Sequence, residues 1–65
     1  MNIDKSKLDL AMAKECCTAE KLAKLTGVSQ VTLARIKRGV QEPRPATVGK
    51  IAKALNVQVE ELIVF

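Results

Sequence analysis

The chain has 65 residues, no histidine, two cysteines, a single aromatic residue and a formal net charge of +4. A chain this short holds one small core, and the expected organisation is a single domain over residues 1–65. The adjacent pair Cys16-Cys17 fits neither a disulfide framework nor a zinc-ligand spacing, so reduced thiols, no metal and no cofactor are expected.

The opening MNIDKSK lacks the apolar core of a signal peptide. No apolar run is long enough to span a bilayer, and a cytoplasmic protein is expected. Glycine and proline punctuate an otherwise helical composition, and five helices are predicted. The first covers Asp4–Cys16, although Leu8, Leu10, Ala11 and Met12 mark no single face cleanly. The second and third cover Thr18–Thr26 and Ser29–Arg38, each followed by a glycine (Gly27, Gly39) placed as a left-handed C-cap. The fourth covers Pro45–Leu55, with Pro45 in the first turn and Asn56 at the end, and Pro43 keeps the preceding loop extended. The fifth covers Val59–Ile63.

A pattern recurs at three helix starts. Cys17-Thr18 is followed by Leu22, Val28-Ser29 by Leu33, and Val57-Gln58 by Leu62. Each puts an apolar residue before the N-cap and another at the fourth helical position, which is a hydrophobic staple. Glu61 stands where a capping box needs it. The predicted core is Leu8, Ala11, Cys17, Leu22, Ala23, Val28, Leu33, Ile36, Val48, Ile51, Ala52, Leu55, Val57 and Leu62.

Ala19–Gly39 reads as two short helices joined by a tight turn. Ala23 allows close approach, Gly27 allows a positive φ, and Val28 tucks under the turn. Leu33 and Ile36 share a buried face, which leaves Gln30, Val31, Arg35 and Arg38 on the opposite one. Glutamine pairs with adenine, arginine with guanine, and an exposed valine with a thymine methyl. Residues 18–50 carry seven basic side chains against two acidic ones, a basic centre that suits a polyanion.

From Leu8 to Leu62 the chain resembles the phage repressor/Cro family of helix-turn-helix domains, also called the XRE family. The residues that carry this are TAEKLAKLTGVSQVTLARIKRG, then Pro43, then TVGKIAKALNVQVEEL. The resemblance implies an all-α, five-helix, lambda-repressor-like domain in which helices 2 and 3 form the motif. It implies a sequence-specific double-stranded DNA-binding transcriptional regulator, a small Cro/repressor-type protein that reads an inverted-repeat operator as a dimer. By position, Ser29, Gln30, Val31, Thr32 and Arg35 are the base-reading candidates. Thr18, Ala19, Lys37, Arg38, Gln41 and Arg44 are the backbone candidates. Asn56, Val57, Gln58, Val59, Ile63 and Phe65 are candidates for a two-fold surface.

The chain departs from the family pattern at named places. Ala19 stands where glutamine is common. Met12 and Lys37 replace a frequent arginine–glutamate pair, so Lys37 is expected to rest its stem on Met12 or to add a phosphate contact. Gly49 replaces a large apolar residue, with close helix packing as the expected reason. Cys17 is expected in the core and Cys16 outside it. Two other functions fit the same pattern: the antitoxin of a toxin–antitoxin pair, and a protein-interaction module on the same fold. With no histidine and no suggestive carboxylate pair, no catalytic set emerges. No small-molecule ligand is indicated.

Overall fold

The computed structural model describes residues 1–64; Phe65, expected at the two-fold surface, lies outside the described residues. Among the described residues four α-helices follow one another: α1 (Lys5–Lys14), α2 (Ala19–Thr26), α3 (Gln30–Lys37) and α4 (Pro45–Ala54). The predicted fifth helix, Val59–Ile63, is instead one 3₁₀ turn over Val59–Glu61. Three residues are too few to propagate an α-helix. The turn is closed locally, because the Glu61 carboxylate accepts the Gln58 N–H at 2.7 Å.

Each of the first three helices starts at a side-chain cap. Asp4, Thr18 and Ser29 accept the backbone N–H groups of Lys7, Lys21 and Thr32 at 3.1, 3.1 and 3.2 Å. These bonds satisfy donors that a helix start leaves without intrahelical partners. The fourth helix starts on Pro45, which has no N–H to satisfy.

All four helix ends are followed by a residue of positive φ: Cys16 (51°), Gly27 (74°), Gly39 (78°) and Asn56 (55°). After α1, α3 and α4 the hydrogen bonds repeat. Cys16, Gly39 and Asn56 donate to Ala13, Ile36 and Lys53, while Cys17, Val40 and Val57 donate to Met12, Arg35 and Ala52. This is the Schellman arrangement. It ends α1 at Lys14, before the predicted Cys16.

The core joins Leu8 and Ala11 of α1, Leu22 of α2, Leu33 of α3, Ile51 and Ala52 of α4, and Cys17, Leu55 and Leu62. Both members of all three predicted staples belong to it or pack against it. Ala23, Val28 and Val57, predicted as core, are only half-buried. The N-terminal segment closes the far side: Ile3 pairs with Ile63 in an isolated antiparallel bridge, and the Asp4 N–H donates to Leu62 O at 2.8 Å. Ile63 is therefore 8% exposed. Ile63, expected at a two-fold surface, is thus a buried residue in the single chain.

Gly49 also needs a correction. A Cβ added there would meet nothing within 4 Å, so close helix packing does not account for it.

Candidate nucleic-acid interface

The turn between α2 and α3 is held by a residue that sequence reasoning missed. Thr26 is 7% exposed, and its hydroxyl donates to Leu22 O at 2.8 Å and accepts the Val28 N–H at 3.2 Å. Gly27 supplies the left-handed step between them and donates its N–H to Ala23 O at 2.8 Å. The available signal was a threonine directly before the turn glycine, since a hydroxyl there reaches back four residues and forward two.

Beyond that turn, α3 is oriented by burial. Leu33 and Ile36 face inward and are nearly inaccessible. The helix spacing then sets three outward stripes. Val31, Arg35 and Arg38 form the outermost; all are exposed, Val31 by 61%. Gln30, Ala34 and Lys37 form a second, which borders α1 and the start of α2. Ser29 and Thr32 begin a third, where their hydroxyls are 3.0 Å apart.

These stripes bring together residues that are distant in sequence. Thr32 shares one depression, of about 310 Å³, with Gln41, Arg44 and Thr47. Two of the predicted backbone residues thus lie beside α3, and Thr47 joins them unpredicted. Arg44 is the exposed residue before Pro45, with its side chain in no capping bond. On the other side, Ala19 and Gln30 share a depression of about 280 Å³ with Leu8, Met12, Leu22, Leu33, Ala34 and Lys37. Alanine at position 19 leaves that space open where a longer side chain would fill it. Thr18 is exposed at the cap of α2.

Lys37 has a charged partner within the fold. It shares a depression with Met12, and its Nζ lies 2.7 Å from Asp9 Oδ1. Asp9 was missed. The signal was a carboxylate one helical turn before Met12, opposite in charge to Lys37.

The predicted two-fold residues Asn56 and Gln58 are exposed, and Val57 and Val59 are half-buried. Among the described residues no cluster of three or more histidine, cysteine or carboxylate side chains is placed to hold a metal ion. No helix among them is long and apolar enough to cross a membrane.

A helix-turn-helix family model matches residues 17–62, a span that contains α2, α3, α4 and the 3₁₀ turn. An uncharacterized helix-turn-helix-type transcriptional regulator of Methanocaldococcus jannaschii is 36% identical over 61 residues, covering 94% of this chain and 92% of the relative. Another, from Archaeoglobus fulgidus, is 36% identical over 53 residues, covering 82% of this chain and 76% of the relative. No solved structure matches the chain at a significant level.

Proposed function

The chain belongs to the helix-turn-helix family of the XRE type, and on that premise we propose that it is a small repressor/Cro-type regulator that binds a specific double-stranded operator. The observation that carries this reading is the outward stripe Val31–Arg35–Arg38 on a helix fixed at its start by Ser29 and along its inner face by Leu33 and Ile36. A helix with an exposed arginine on its outward face suits the major groove.

In this reading Gln30, Val31 and Arg35 read base edges, with Ser29 and Thr32 beside them. Arg35 takes a guanine in bidentate fashion and Val31 meets a thymine methyl. Thr18, Ala19, Arg38, Gln41 and Arg44 meet the sugar-phosphate backbone and fix the register. Ala19 does so through its main chain at the start of α2 and adds no side-chain hydrogen bond. The depression holding Thr32, Gln41 and Arg44 supports this division, because it puts backbone candidates directly beside the reading helix.

The operator is an inverted repeat bound by a homodimer, with recognition helices about 34 Å apart. Its two-fold surface is the corner Asn56–Val59.

The test is selection of bound sequences from random duplex DNA. Enrichment of an inverted repeat with half-sites about one helical turn apart supports the proposal. Recovery of random sequence, with binding that varies only with salt, overturns it.

A further inference from the structure

Lys37 closes the recognition helix on the side that faces α1. Its ammonium lies 2.7 Å from the Asp9 carboxylate, and the two side chains are 38% and 46% exposed. The pair therefore sits at the rim of the interface. Lys37 also lines the same depression as Met12, Leu22 and Leu33. The other lysine–carboxylate pair on the motif, Lys24–Glu20, is looser at 3.6 Å and more exposed.

Resting on the DNA-binding reading, we propose that Asp9 limits the affinity of the interface by withholding Lys37 from the phosphate backbone. Salt-dependent binding follows from phosphates neutralised and counterions released. A lysine compensated by a carboxylate in contact has little net charge with which to release a counterion. An exposed ion pair contributes little to folding, so the consequence of this one falls on binding. Weakening the sequence-independent term leaves base contacts a larger share of the total.

Salt titrations of the full chain on a long duplex of random sequence test this. Asp9→Asn frees Lys37 and should steepen the slope of log affinity against log salt by about 0.9, for one more neutralised phosphate. At about 50 mM salt it should tighten non-specific binding roughly tenfold. Adding Lys37→Met to Asp9→Asn should return the slope to the wild-type value. An unchanged slope in Asp9→Asn overturns the proposal. So does a gain that persists in the double variant, because Asp9 would then act through overall charge and not through Lys37. A wild-type protein that binds no duplex at any salt overturns the DNA-binding reading as well, and is recognised before either variant is made.

Discussion

Thr26 and Val28 are joined across Gly27, with the Val28 N–H donating to the Thr26 hydroxyl at 3.2 Å. The same hydroxyl donates to Leu22 O at 2.8 Å, so one buried side chain ties the last turn of α2 to the entry of α3. Thr26→Val keeps the branched shape and removes both bonds. It should lower stability by about 1–2 kcal/mol, because the half-buried Val28 N–H loses its partner. Urea denaturation measures the loss, and a cost near zero would show that the hydroxyl does not hold the turn.

Cys16 is an exposed, non-glycine residue at φ 51°. The left-handed region costs most L-residues about 1 kcal/mol or more, while asparagine tolerates it better. Cys16→Gly should therefore stabilise the fold by about 1 kcal/mol, and Asn56→Gly by less. For a chain of this size about 1 kcal/mol moves the melting temperature by roughly 4–8 °C, so thermal melts of the two variants side by side resolve the order.

Gly49 lies inside α4 with open space around a prospective Cβ. Gly49→Ala should stabilise by about 1 kcal/mol through helix propensity alone. Guanidinium denaturation checks it. A destabilised variant would mean that the neighbouring side chains do not accommodate the methyl group.

Arg35 and Arg38 share the outward stripe of α3 but are assigned different work. Arg35→Ala should cost about 1–3 kcal/mol on the selected operator and relax preference at one base position in each half-site. Arg38→Ala should weaken binding to all sequences alike and lower the salt slope by about 1. Fluorescence anisotropy on the operator and on single-base variants separates the two outcomes. Equal loss of base preference in both would merge their roles.

The helix-turn-helix was legible from residue types because each acts locally. Gly27 permits a backbone angle that few residues adopt, Ser29 satisfies the N–H three residues on, and Leu33 and Ile36 fall on one face by helical spacing. The same locality made Thr18, the staples and the Gly39 and Asn56 caps readable. Cys16 escaped because cysteine is not a residue from which a left-handed cap is read. The fifth helix was overestimated because Val59–Ile63 has helical composition, while a segment so short takes its geometry from its neighbours.

What the sequence by itself determined was the set of elements and the inward face of each, since those follow from spacing and from single-residue backbone preferences. Only the tertiary structure decided what meets across elements. It put Ile3 on Ile63, brought Gln41, Arg44 and Thr47 beside Thr32, left Gly49 in open space, and set Asp9 against Lys37. Those pairings depend on how helices dock. Docking is fixed by the summed shape of the buried faces, which no local spacing encodes. The residues that build α3 are therefore read from the chain, and the partners of its charged side chains are read from the fold.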